Sequence, residues 1–254
     1  MKIGIITIAT NNYKSFLHPL ISSIHTYFVP ESEKHYFLFT DEKLDWFDQY
    51  NHTWTKIQHE PWPYITLKRF EIISKMSDQF ADYDYVIYFD SDMEFISQVN
   101  SFDLKDRKYI SVCHPSSYYN DKFWPVEKNP NSTAYIPTRN DYIYMQGCLW
   151  GARGIYINNI IHTLRDNINE DLKNDIIAVW HDESHLNKFF SEHKNEMAIL
   201  HSGFAYPETW NLTVPCFVIH KDKNMIEYPR FSGKHKPIEL TDNHETDHIE
   251  SVNI

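Results

Sequence analysis

The chain is poor in cysteine: Cys113, Cys148 and Cys216 are the only three in 254 residues. They are odd in number and far apart, so they make neither a zinc spacing nor a disulfide framework, and a reducing compartment is expected. The chain also lacks a positive surplus. Its 24 Lys and Arg face 35 Asp and Glu, for a formal net charge of −11. That balance excludes general nucleic-acid binding, which needs a basic surface. No apolar run is long enough to span a membrane. The opening run, residues 3–9, is short and has no small-residue cleavage site after it, so it reads as a first core strand and not as a signal peptide. A cytoplasmic protein without a membrane span is therefore expected, and the sequons at Asn51, Asn131 and Asn211 read as chance occurrences. No repeat, linker or low-complexity stretch divides residues 1 to about 230.

What is present is a substantial core and many aromatics. Hydrophobic residues make up 42% of the chain, enough for one large α/β domain. Aromatics reach 16%, 17 of them Tyr, and their flat faces with polar edges suit both core packing and stacking on sugars or bases. Period and composition predict strands over 3–9, 35–39, 85–89, 109–113, 197–200 and 216–220. Helices are predicted over 16–28, 67–80, 154–167 and 183–193. Strands alternate with helices through the first half, which predicts an α/β protein with a mostly parallel sheet. Residues 114–150, rich in Pro, Asn, Tyr and Trp, read as a long excursion near a site. Residues 231–254 read as a polar, flexible tail.

Two clusters carry chemistry. The first is the apolar run Tyr85-Val86-Ile87-Tyr88-Phe89, which ends in Asp90-Ser91-Asp92. Ligands bind at the carboxyl ends of strands in open α/β sheets. Two carboxylates one residue apart at such a rim can share a hard cation, and a nucleotide diphosphate needs one to neutralise its charge. The plainer reading is an Asx-turn after a strand. The second cluster is Trp180-His181-Asp182-Glu183-Ser184-His185-Leu186-Asn187-Lys188. Asp182 and Glu183 could simply cap a helix and complement its dipole. They could also do acid, base or nucleophilic work. His181 and His185 lie four apart, as in zinc proteases, but Asp182 follows the first His where those enzymes have Glu.

These segments together resemble the family 6 glycosyltransferases. The matching stretches keep their order: Tyr13 after the first strand, Thr66-Leu67-Lys68-Arg69-Phe70, Tyr88 to Phe95, His114-Pro115, Ala134-Tyr135-Ile136-Pro137, Tyr144-Met145-Gln146-Gly147-Cys148-Leu149-Trp150-Gly151, and Trp180 to Lys188. The resemblance implies a soluble, prokaryotic- or phage-type member that keeps the D-x-D pair. It also implies a GT-A fold, with a single mixed, mostly parallel central sheet flanked by helices. Residues 1 to about 95 would form a nucleotide-binding half and 96 to 230 an acceptor-binding half. The implied activity is retaining transfer of a hexose from a UDP-sugar to an acceptor glycan. Galactose is the favoured hexose and N-acetylgalactosamine the alternative. An α1,3 linkage to a β-galactoside is the implied product. A carbohydrate-binding pseudo-enzyme and a zinc hydrolase are the remote alternatives.

Residue by residue, the resemblance implies that Asp90 and Asp92, with Ser91 between them, hold Mn²⁺ or another divalent cation against the diphosphate. Ile8, Ala9, Thr10 and Tyr13 match the uridine pocket. Arg69 matches the arginine near the diphosphate. Asp182, beside His181, matches the residue that holds donor-sugar hydroxyls. Glu183 matches the carboxylate under the anomeric carbon. Gln146, Gly147 and Cys148 lie where the family chooses its donor, and Cys148 is larger than the glycine that admits an acetamido group. His114, Trp180 and Glu208 match acceptor contacts. Around Trp124-Pro125-Val126-Glu127 the family's acceptor loop is not recognisable, so the acceptor stays open.

Overall fold

The structure, a computed structural model, describes residues 1–223 apart from 101, 121 and 139–141. The tail expected over 231–254 lies outside the described residues. In chain order the elements are β1 (Lys2–Ala9), α1 (Leu17–Tyr27), β2 (Glu33–Thr40), β3 (His52–Lys56), α2 (Tyr64–Leu67), α3 (Arg69–Ser74), β4 (Tyr85–Phe89), β5 (Met93–Phe95), β6 (Tyr109–Cys113), α4 (Pro115–Tyr119), β7 (Met145–Arg153), α5 (Gly154–Lys173), α6 (His181–Glu192), β8 (Met197–Leu200), β9 (Tyr206–Pro207) and β10 (Val218–His220).

Seven strands form one sheet in the order β3-β2-β1-β4-β7-β6-β8. Its β1, β2, β3 and β4 pairings are parallel, as is β6 with β8. β7 runs antiparallel to both β4 and β6. The mixed, mostly parallel sheet implied by the resemblance is therefore present, and it runs without a break from β1 to β8. β10 pairs antiparallel with β5 and parallel with β9 in a second, three-stranded sheet.

The strand sequences are nearly continuous apolar runs because both faces of the sheet are covered. Alternate side chains go to opposite faces. Ile3, Ile5, Tyr85, Ile87 and Phe89 pack with Leu20, Ile21 and Ile24 of α1. Ile6, Ile8, Val86 and Tyr88 pack with Phe70 and Ile73 of α3 and with Ile157, Ile161 and Leu164 of α5. No helix among the described residues is long and apolar enough to cross a membrane.

Three features differ from the sequence reading. The helix expected over 67–80 is divided. Lys68, with φ −82° and ψ 0°, separates α2 from α3, and the chain beyond Ser74 tightens into a 3₁₀ turn over Ser77–Asp82. Ser77 and Asp78 are poor helix formers that favour such turns. The end of the expected excursion is β7, a central strand. Its Gln146, Gly147, Gly151 and Ala152 conceal the usual β-branched signature. The strand β3 is half-exposed along His52–Thr55, and that polar edge hid it.

Gly151 explains part of that composition. A Cβ there would lie 2.5 Å from the Val86 carbonyl oxygen and 2.9 Å from the Ile87 Cα. Pairing on both sides, opposite Ile87 and Ile110, leaves the strand no room to shift. Gly151→Ala should therefore lower the unfolding free energy by about 1–3 kcal/mol, read from urea midpoints at unchanged slope. Gly4→Ala, whose Cβ would meet only side chains at 3.2–3.4 Å, should cost less. Equal losses at both positions would contradict the packing argument.

Candidate active site

The carboxyl ends of the parallel strands β1 and β4, the start of the antiparallel β7 and the N-terminus of α6 converge at one rim. Asp90, the first residue after β4, extends the ladder by donating its N–H to the Cys148 carbonyl at 2.8 Å. Its carboxylate accepts from the Tyr88 hydroxyl at 2.9 Å and from Arg69 at 3.0 Å. Arg69, at the start of α3, is buried. Its other terminal nitrogen meets Asp182 at 2.9 Å and donates to the Gly147 carbonyl at 3.2 Å. The guanidinium also lies over the Tyr88 ring, 4.5 Å from its centroid, and Tyr88 stacks on Trp150 at 5.1 Å. Burial disfavours the guanidinium charge, but Asp182, Tyr88 and Asp90 more than reverse this and hold it protonated. Burial also raises the Asp182 pKa, with Asp90 adding to the shift and Arg69 opposing it.

Glu183 follows Asp182 in the first turn of α6. One oxygen accepts from the Tyr144 hydroxyl at 2.8 Å and the other from the Gly147 N–H at 2.7 Å. A Cβ on Gly147 would come within 3.3 Å of this side chain, so glycine there lets the strand approach the carboxylate. Burial pushes the Glu183 pKa up to about 7. The two hydrogen bonds oppose this, while Asp182 and Asp90 add to it. Asn187, one turn on, accepts from the Met145 N–H and donates to its carbonyl, both near 2.8–2.9 Å, and so fixes α6 against β7.

Asp92 sits deeper, 2% exposed. Burial alone would raise its pKa, but Lys223 and His220 hold it well below the usual carboxylate range. Lys223 Nζ is 3.1 Å from Oδ2, and His220 Nε2 is 3.3 Å from Oδ1. Neither approach has hydrogen-bond geometry, since Asp92 Oδ2 and His220 Nε2 both remain buried without a partner. Asp90, Asp92 and His220 offer ligand atoms within 4.8 Å of one another. Oxygen-rich donors, an orphaned carboxylate oxygen and a lysine ammonium in the place of a cation fit a divalent ion such as Mn²⁺. His181 and His185 are not in that group. His185 is buried against Asp171 and Thr133 at 3.6 and 3.4 Å, which removes the zinc-hydrolase arrangement.

The other expected residues fall on two sides. At the end of β1, Ile8 and Ala9 are buried in the two core clusters. Thr10 bonds His59 at 2.8 Å, and Tyr13 is half-buried. Ser91 is buried in the turn between the two aspartates. Cys148 is 2% exposed, and its thiol lies in the core beneath the carboxylates, with burial holding it protonated. Gln146 contacts His220. On the other side, Tyr144 packs with Val126 and Ile136, and Phe123, Trp124 and Trp180 cover them. His114 stacks on Phe123 at 4.8 Å and meets Tyr144 edge-on at 5.9 Å, which places it one ring from Glu183. Its Nδ1 accepts from the Ser116 N–H, and burial pushes its pKa down to about 4. His181 lies beside the exposed Trp62 at 4.6 Å. Glu208 is bonded to Lys221 and to the Asp222 N–H, outside this cluster.

Tyr144, His220 and Lys223 were not assigned roles from the sequence. Tyr144 stands inside a recognisable motif and could have been assigned. His220 and Lys223 carry no local pattern. They reach the site because β10 pairs with β5 so that His220 lies opposite Met93, next to Asp92.

Comparisons with known proteins identify the family. Residues 1–216 match the sequence profile of glycosyltransferase family 6. The chain is 29% identical over 227 residues to the O-antigen biosynthesis glycosyltransferase WbnI of Escherichia coli, covering 88% of this chain and 95% of that one. It is 29% identical over 201 residues to the histo-blood group ABO system transferase 2 of Rattus norvegicus, covering 76% of this chain and 60% of that one. The human globoside alpha-1,3-N-acetylgalactosaminyltransferase 1 is 27% identical over 203 residues, with 76% of this chain and 58% of that protein covered. This chain thus spans about three-fifths of those two mammalian relatives and nearly all of the bacterial one. With its acidic pair, buried arginine and α6 carboxylates gathered at one rim, the chain belongs to glycosyltransferase family 6.

Proposed function

We propose that the protein is a retaining transferase that moves a hexose, galactose in preference, from a UDP-sugar to a β-galactoside-terminated glycan, forming an α1,3 linkage. The observation that carries this reading is the Glu183 carboxylate, oriented at both oxygens and paired with no cation among the described residues. Inverting transfer needs a general base on the acceptor side. Retention, as in retaining glycosidases, calls for a carboxylate under the anomeric carbon, with the departing diphosphate taking the acceptor hydroxyl's proton as the new bond forms. An anion held in a site that raises its pKa is poorly stabilised in the ground state, and positive charge developing on the sugar relieves it.

The neighbouring residues take complementary roles. Asp182, fixed by Arg69, accepts from the donor sugar's hydroxyls. A divalent cation held by Asp90 and Asp92 would supply Lewis-acid stabilisation of the leaving diphosphate. Gly147 keeps the strand close to Glu183. At neutral pH His114 is uncharged, and since its Nδ1 accepts from Ser116 its Nε2–H is left to donate to an acceptor hydroxyl. Trp180 and Phe123 offer aromatic surface beside it for a sugar face. Galactose is preferred on the family resemblance, in which a residue larger than glycine stands at the position of Cys148; the thiol itself is turned into the core. The N-acetylgalactosamine reading is supported by the name of the globoside relative and would need Gln146 to make room. A carbohydrate-binding pseudo-enzyme is disfavoured because the acidic pair and Glu183 are both in place.

Mn²⁺-dependent release of UDP from UDP-galactose, tested against a panel of sugar nucleotides, is the direct assay. Excess EDTA should abolish it, and Asp92→Asn should weaken metal-dependent UDP binding far more than stability. Full turnover in EDTA would contradict the metal role.

Glu183 gives a pH signature. The kcat/KM of the wild type should rise through an apparent pKa of about 7 as the carboxylate ionises. Because its folded pKa is raised, protonation favours the folded state. Stability relative to Glu183→Gln should therefore fall as pH climbs from 4.5 through about 7, the window in which activity rises. Glu183→Gln should still bind UDP but lose kcat by roughly 10²-fold or more. A variant that keeps more than about a third of wild-type kcat would return Glu183 to helix capping.

A further inference from the structure

Three buried polar atoms without a well-formed hydrogen bond lie together at the acidic rim: Asp92 Oδ2, which faces the Lys223 ammonium at 3.1 Å, His220 Nε2 and Gln146 Oε1. Buried polar groups are nearly always satisfied, so an orphaned cluster calls for a missing partner. From this we infer that His220 is a third protein ligand to the divalent cation, through Nε2, and that Gln146 is its positioning residue. The inference rests on the cation-binding reading of Asp90 and Asp92, and goes beyond it.

The geometry supports each part. His220 Nε2 is 3.3 Å from Asp92 Oδ1, and one ligand atom from each of Asp90, Asp92 and His220 falls within 4.8 Å of the others. Atoms about 2.0–2.2 Å from a common ion lie within such a separation of each other. Imidazole nitrogen and carboxylate oxygen form a donor set that suits Mn²⁺ and similar ions. His220 is also held in place. Across the β10–β5 pairing it stands opposite Met93, the residue after Asp92, and the Asp92 carbonyl accepts from the Lys221 N–H at 2.8 Å. Lys221 is in turn clamped between Glu94 and Glu208 at 2.8 and 3.2 Å. Glu208 therefore braces the strand end that carries the imidazole.

Gln146 completes the account. Its amide nitrogen lies 3.1 Å from His220 Nδ1, while its oxygen has no partner. With the amide so oriented, Nδ1 accepts and the ring proton must sit on Nε2, which then cannot ligate. A half-turn of the amide, whose N and O are nearly the same shape, brings Oε1 to Nδ1 and makes Nδ1–H the donor. Nε2 then carries a free lone pair. A metal-ligating histidine typically donates its other N–H to an oxygen in this way. The cation would take up an Asp92 oxygen and His220 Nε2, and the turned amide gives Gln146 Oε1 a donor while its NH2 takes the place that Oε1 left.

The test uses the full chain and Mn²⁺ alone, without nucleotide. Pulsed EPR of the Mn²⁺-loaded wild type should show a directly bonded nitrogen. His220→Ala should remove that coupling and weaken Mn²⁺ binding by at least the roughly 10- to 100-fold that losing an outer-sphere partner costs. Gln146→Leu should keep the coupling and weaken binding by roughly tenfold. The wild-type spectrum does not depend on any variant folding. Absence of nitrogen coupling there, or His220→Ala binding Mn²⁺ within a factor of about three of wild type, would overturn the proposal. Asp92→Asn separates the two readings. If it loses Mn²⁺ while His220→Ala keeps it, the third ligand alone is wrong. If Asp92→Asn also keeps it, the cation site at the acidic pair fails as well.

Discussion

Everything at the rim depends on one buried cation, the Arg69 guanidinium. It joins four segments of chain: Asp90 after β4, Asp182 at the start of α6, the Gly147 carbonyl in β7 and its own α3. Without it two carboxylates would face each other in a poorly solvated place. Breaking such a buried pair by removing one partner typically costs about 3–5 kcal/mol, because the charge left behind is uncompensated. The Tyr88–Trp150 stack beneath the guanidinium adds a flat, electron-rich support. Lysine could not replace this arginine, since a point charge cannot span both carboxylates and a carbonyl in one plane.

That arrangement leaves charge unevenly distributed, and the unevenness is the functional feature. Asp182 has Arg69. Asp92 has Lys223 and His220 close by. Glu183 is hydrogen-bonded to the neutral donors Tyr144 and Gly147, has no paired cation among the described residues, and feels Asp182 and Asp90 as repulsion. One carboxylate in a cluster of four is thus set apart from the others by its environment, which is how neighbouring acids acquire different roles. The side proposed for the acceptor differs in character: Trp180, Phe123, Tyr144 and an uncharged His114 make an aromatic wall.

The sequence disclosed the two ends of this arrangement more readily than its middle. Asp90 and Asp92 stand out because an apolar strand ends in them, and Asp182 and Glu183 because they open a helix inside a recognisable motif. The sheet was legible where strands are continuous apolar runs, as in β1, β2, β4 and β6. β7 was not, although it runs through the centre of the sheet, because glycines needed for close approach to Glu183 and to β4 dilute its pattern. His220 escaped notice for another reason. Its position depends on a strand pairing between residues 218–220 and 93–95, a long-range contact that no local spacing announces.

The central claim is that a lone, poorly compensated carboxylate beneath the anomeric carbon makes this a retaining enzyme. The anomeric configuration of the product tests it most directly. Proton NMR of the disaccharide linkage formed from UDP-galactose and a β-galactoside should show an α linkage, the configuration of the donor. A β linkage would mean direct inversion and would contradict the role given to Glu183.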